Sequence, residues 1–236
     1  MSNDVPYSRK LGPLTPFVGE WEGDIGVDRS YHNKDDWTTE TTYFEKASFK
    51  PIPVQENGQQ VLWGLLYKMT AWRHGEEAMD PFHDEVGFLL WDKAHKQVMR
   101  NVVFGRGIAI LAGSSAEPHD TVLRFDARPG EPCYGVLQNK YLLERAEIRD
   151  FKSDFTIHDD GTISYTSDLV LKLAATGEEM HHTDKNTLHL VKQRDAGDNA
   201  VDVWLASERN LIPVKLLIVE NDGSKFEQVI TQLEFK

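Results

Sequence analysis

The chain has 236 residues, with 26 basic against 38 acidic side chains and a formal net charge of −12. Hydrophobic residues make up 40% and charged residues 27%, which suits a chain that buries a core and excludes a disordered or fibrous one. No Lys/Arg cluster is present, which excludes a nucleic-acid surface, and the single cysteine, Cys133, excludes an internal disulfide or a CxxC metal site. No run approaches the roughly 20 apolar residues of a membrane helix. The opening MSNDVPYSRK lacks the apolar core of a signal peptide, so a cytoplasmic protein without membrane contact is expected.

Gly12–Val18 reads as a short helix or turn. Gly19–Gly26 (GEWEGDIG) follows, its glycines set around a Trp as in the first strand of a closed barrel, where the chain bends and neighbours come close. A phosphate loop would have to open a helix, and Glu20, Glu22 and Asp24 would repel phosphate there. Period-2 alternation then predicts strands over 38–44, 61–72, 84–91, 97–104, 108–112 and 121–126. Further strands are predicted over 144–155, 162–173, 186–191, 201–206, 214–219 and 226–235. Turn pairs separate them: NG at 57–58, HG at 74–75, PG at 129–130, DG at 160–161, TG at 176–177 and DG at 222–223. Gly130–Asn139 reads as loop. No helical pattern alternates with the strands, so the fold class is all-β, a barrel or sandwich.

Gln193–Ala200 (QRDAGDNA) is polar and follows the end of a strand, so it reads as a linker. The expected organisation is a barrel over 1–192 and a strand or hairpin extension over 193–236. The extension is too short to bury a core alone and is expected to pack on the barrel or on a second subunit, which would make a homodimer.

Trp21, Trp63, Trp72, Trp91, Phe82, Phe88 and Phe104 are core candidates. In a barrel that keeps a cavity, Trp21, Trp63, Phe88 and Phe104 are the expected walls of an apolar ligand pocket, with His83 near its mouth. His83 and Glu85 share one strand face and Asp84 takes the other. Met180–Leu190 (MHHTDKNTLHL) is the densest chemical cluster. Alternation puts His181, Thr183 and Lys185 on one face and His182, Asp184 and Asn186 on the other, so one strand alone cannot converge a zinc site. A polar hairpin tip with two solvated histidines explains the same residues. No GxSxG elbow or HExxH motif supports nucleophilic or zinc-protease chemistry. Glu131 beside Cys133 disfavours a thiolate.

Three stretches in order resemble the nitrobindin-like, haem-binding β-barrels, which look like fatty-acid-binding proteins of the calycin type. Phe17–Gly26 is similar to the family's opening Gly-x-Trp-x-Gly-x-Gly. Trp72–Gly113 carries His83-Asp84-Glu85-Val86-Gly87-Phe88, similar to its His-x-Glu-x-Gly-Phe, and then Gly107-Ile108. Leu173–Val191 is similar to the strand pair bearing its haem-ligating histidine. The resemblance spans about residues 11–192. It implies a single ten-stranded antiparallel barrel with an extra C-terminal ribbon, and haem b in the pocket. It further implies a late-strand histidine on ferric iron, nitric oxide binding and peroxynitrite isomerase-like activity, with His83 matching a pocket histidine. Aligned without gaps, the iron-ligand position falls on Thr183. His182 would reach it through a bulge beside Thr176-Gly177, and His181 lies one pleat away, about 7 Å along the strand. His182 is the preferred iron ligand among these. The alternative function is non-enzymatic carriage of an apolar ligand in the same barrel without haem.

Overall fold

The computed structural model describes residues 10–32, 37–76, 80–191, 200–206, 212–219 and 224–229. The chain divides into two compact units, Met1–Val191 and Lys192–Lys236.

In the first unit a 3-10 turn, Gly12–Phe17, precedes β1 (Gly19–His32), β2 (Trp37–Pro51), β3 (Gln55–Glu56), β4 (Val61–Arg73) and β5 (His83–Asp92). Then come β6 (Gln97–Phe104), β7 (Ile108–Ser115), β8 (Val122–Ala127) and β9 (Val136–Gln138). A single helical turn, α1 (Lys140–Arg145), leads into β10 (Ala146–Ile157), β11 (Ile163–Leu173) and β12 (Glu179–Val191). The pairing order is β2-β1-β12-β11-β10-β8-β7-β6-β5-β4, and β4 returns to β2. The result is a closed barrel of ten antiparallel strands, with the short β3 and β9 added to β4 and β7. Closure leaves no open edge, the usual hazard of a sheet.

The predicted strands fall on observed ones, with ends moved by up to seven residues; of the strand expected over 226–235, residues 230–235 lie outside the described residues. Two elements differ. Lys140–Arg145 is helical where a strand was expected from residue 144, because Asn139 caps it by accepting a hydrogen bond from the Leu142 amide at 3.1 Å. Val136–Gln138, expected as loop, pairs with β7.

Two glycines of the sequence motifs have a steric reason. A Cβ on Gly26 would overlap the ring of Tyr43, so glycine lets that ring lie flat on β1. A Cβ on Gly87 would overlap the backbone carbonyl of Asn101 on β6. Both permit the close approaches a tightly curved barrel needs.

One end of the barrel is filled. Leu14 and Phe17 of the 3-10 turn, with Leu11 just before it, plug it and are fully buried. Phe17 meets Phe49 and Phe155 edge-on, with centroids 5.6 and 5.7 Å away. Trp21 donates from its indole nitrogen to the Phe17 carbonyl at 2.7 Å, tying β1 to the plug. Each such side chain stabilises the fold by about 1.5–3 kcal/mol on burial.

The second unit holds β13 (Ala200–Ala206), β14 (Ile212–Val219) and β15 (Lys225–Val229), a separate antiparallel sheet in that order. Of the expected linker only Ala200, the first residue of β13, is described; Gln193–Asn199 and the DG pair at 222–223 lie outside the described residues. Among the described residues no helix is long and apolar enough to cross a membrane.

Candidate functional site

The other end of the barrel holds a cavity of about 470 Å³. Its two walls differ in chemistry. Ile108 and Ile110 of β7, Leu142 of α1, Ile148 and Phe151 of β10 and Leu169 of β11 make an apolar wall. Opposite in character are Asp28 of β1, Glu45 of β2, His83 and Glu85 of β5, and His182 and Asp184 of β12. Arg73 and Arg106 also border the cavity.

Deepest in the polar part is a buried ion pair. Arg100 of β6 donates to Glu85 Oε1 at 2.5 Å, to the Tyr67 hydroxyl at 2.9 Å and to Ser153 Oγ at 2.9 Å. Burial alone would raise the Glu85 carboxyl, but the Arg100 guanidinium, helped by His83, outweighs it and holds it at about 2. His83 Nε2 lies 3.4 Å from the other Glu85 oxygen, and its ring meets Phe104 at 5.7 Å. Burial works against the imidazolium of His83, yet the contact with Glu85 leaves its pKa raised.

A second group joins β1 and β12. His182 Nε2 lies 2.7 Å from Asp28 Oδ1, and Ser30 Oγ donates to Asp28 Oδ2 at 2.7 Å. Burial opposes ionisation of Asp28, but the hydrogen bond and charge of His182 lower its pKa. A third group runs through two phenols: Tyr43 and Tyr165 hydroxyls are 2.8 Å apart, Tyr43 reaches Asp184 and Tyr165 reaches Glu45. Burial drives both acids up, Glu45 to about 8 and Asp184 to about 6, and both phenols are also raised. Among the described residues no buried side-chain nitrogen or oxygen lacks a partner.

The register decides the fate of the paired histidines. β11 and β12 pair without a break from Ile163↔Leu188 to Lys172↔Glu179. No bulge is therefore needed beside Thr176-Gly177; the irregularity lies elsewhere, between Glu22 and Val27 in the β1–β12 pairing. Plain alternation turns Met180, His182, Asp184, Asn186 and Leu188 inward. His181 turns outward and meets Asp168 at 2.8 Å, and Thr183 sits across from Arg29 on the same outer face. The gapless placement of an iron ligand at Thr183 is thus corrected: that side chain does not face the cavity.

Of the expected pocket walls, Phe104 and His83 line the cavity. Three do not. Trp21 belongs to the filled end, with its indole on Phe17. Trp63 packs at the edge of the core under Lys10, whose ammonium lies 4.8 Å from its ring. Phe88 points out of the barrel, because His83, Glu85 and Gly87 take the inward positions of β5. The residues that sequence reasoning passed over are Asp28, Glu45, Arg100, Tyr43 and Tyr165. One signal was available for Arg100: it shares the inward face of β6 with Val98 and Val102, and a charge on an apolar face needs a buried partner.

Residues 10–189 match the model of the THAP4-like, heme-binding beta-barrel domain. The chain belongs to this family. The crystal structure of Rv2717c from M. tuberculosis superposes with a TM-score of 0.52 at 19% identity, covering 78% of this chain and 97% of that one, a likeness of fold. No curated relative matches the sequence.

The cavity's donor set bears on a haem. Among the described residues no three His, Cys, Asp or Glu side chains converge to hold a bare metal ion. A metal carried in its own macrocycle needs only one axial protein donor. An inward imidazole whose partner is a carboxylate, an apolar wall and two bordering guanidiniums fit the iron, the ring and the acid groups of haem in turn.

Proposed function

We propose that this barrel binds haem b in its cavity, with His182 as the axial donor. The observation that carries the reading is the His182–Asp28–Ser30 chain facing the cavity. A histidine that ligates metal gives its other ring nitrogen to a carboxylate or carbonyl, which fixes tautomer and orientation and raises basicity. Asp28 is that carboxylate, and Ser30 holds Asp28 in turn. Ile108, Ile110 and Phe151 would shield a bound ring from water, and Arg73 and Arg106 would suit its acid groups. Bound haem would supply nitric oxide binding and peroxynitrite isomerisation, the chemistry of the nitrobindins that the sequence resembles. His83, held by Glu85, is the second imidazole on the cavity and can hold or give a proton there.

Hemin titration of His181→Ala, His182→Ala and the double variant tests this. His182→Ala should lose the Soret shift and the affinity, and His181→Ala should keep both. A double variant with the wild-type Soret position and affinity would overturn the assignment. Carriage of an apolar ligand without iron is the second reading, favoured by the apolar wall; binding of a fluorescent fatty acid by a protein that ignores hemin would select it. We also propose that the C-terminal sheet joins two copies of the chain, since Phe226 and Val229 of β15 are exposed. Size exclusion of a chain ending at Arg194 should then show a monomer.

A further inference from the structure

The polar wall contains a chain of oxygens that cannot be satisfied by two ionised acids. Glu45 Oε2 lies 2.9 Å from the Tyr165 hydroxyl, the two phenol oxygens are 2.8 Å apart, and the Tyr43 hydroxyl is 2.5 Å from Asp184 Oδ1. Three such contacts need three protons. Each phenol brings one, and a carboxylate brings none. The third proton must reside on a carboxyl group.

The surroundings choose Glu45. Both acids line the cavity, but Glu45 is 2% exposed whereas Asp184 is only half-buried. Directly across it on the adjoining strands stand Gly23 of β1 and Ala71 of β4, which bring no charge. The groups facing it are Tyr43 of its own strand, Tyr165 of β11, and Asp184 and Asn186 of β12, with Glu85 and His83 of β5 further off. Asn186 donates to the same Glu45 oxygen at 3.1 Å, which a carboxylic acid can accept while giving its own proton to Tyr165. Arg100 is committed to Glu85, and His83 is hydrogen-bonded to Glu85 as well. Among the described residues no cation is hydrogen-bonded to Glu45, and His83, which feels its charge, is engaged by Glu85, so an ionised form would be a buried and poorly compensated charge.

We propose that Glu45 is held as a neutral carboxylic acid and is the residue through which the cavity senses ligand charge: a cationic centre draws its proton off, an uncharged one leaves it. On release the proton passes to solvent. Glu45 then accepts from Tyr165, Tyr43 still donates to Asp184, and the Tyr165–Tyr43 bond is the one given up. The protonation itself is independent of any ligand, and only the sensing rests on the haem reading.

Infrared spectroscopy of the ligand-free chain tests the first part. Wild type should show the carbonyl stretch of a protonated carboxylic acid at pH 7, and the band should vanish in alkali. Glu45→Gln should lack it and Asp184→Asn should keep it. No band, or a band lost only in Asp184→Asn, overturns the assignment. Circular dichroism of both variants establishes that they are folded. The second part compares hemin with metal-free protoporphyrin IX, the same ring without the ferric charge, by calorimetry in buffers of different ionisation heat. Hemin should release protons in wild type and release fewer in Glu45→Gln, and protoporphyrin IX should release none. Equal release by hemin in both proteins overturns the sensing role. Failure of hemin to bind any of these proteins would overturn the haem reading and with it the sensing, while the infrared band still decides the state of Glu45.

Discussion

The two ends of the barrel obey the same alternation and use it for opposite purposes. At the plugged end the inward positions are Trp21, Phe49, Leu89 and Trp91, which with Leu14 and Phe17 fill the space. At the open end the same strands turn Asp28, Glu45, Glu85 and His83 inward and leave about 470 Å³. Filling needs only size and apolarity, so the plugged end is held by contacts that tolerate exchange. The open end must satisfy every polar group, and it does so by chaining each acid to a phenol, an imidazole or Arg100. Apolar burial is therefore concentrated at one end, and charge at the other.

Removing the guanidinium should break the open end most severely. Arg100→Met leaves Glu85 buried without its cation, a change of about 3–5 kcal/mol in stability. Urea unfolding checks it, and adding Glu85→Gln should restore much of the loss. Phe17→Ala should cost about 3 kcal/mol through the cavity it leaves in the plugged end. Its hemin titration should match wild type, since Phe17 does not line the site; altered binding would show that the two ends are coupled.

The acids predict opposite pH responses. Glu85 sits at about 2 in the fold, below the ordinary carboxylate value, so its contribution is complete above about pH 4.5 and fades as pH falls towards 2. Glu45 sits at about 8, above that value, so the folded state binds its proton more tightly than the unfolded one. Its presence therefore costs stability progressively as pH rises from about 4.5 through 8. Glu45→Gln should stabilise the protein at pH 9 relative to wild type and change little at pH 4. His83 is raised, so the stability from its contact with Glu85 is complete below about pH 6.5 and is lost as pH rises through its folded value. Thermal melts across the pH range measure all three.

The smallest effect belongs to the outer face. His181→Ala should change stability by no more than about 0.5 kcal/mol, because His181 and Asp168 are both solvated. A loss of several times that size would mean that His181 is not on the outer face and that the β12 register differs from the one described.

Much of this molecule was legible from residue order. Alternation placed nine of the ten barrel strands, the glycines around Trp21 marked the first of them and its bend, and the facing of β12 already put His182 with Asp184 and apart from His181. Those are properties of one strand and its period of two. Which face was the inside was a different matter. It followed from the unbroken β11–β12 register, which turns His182 and not Thr183 to the cavity. Likewise Asp28 and His182, or Glu45 and Tyr165, stand 154 and 120 positions apart in the chain. Their pairing comes from closure of the sheet, which sets β1 beside β12 and brings β2 and β11 to the same interior. Local pattern carries no information about such distant partners, and the chemistry of the cavity resides in them.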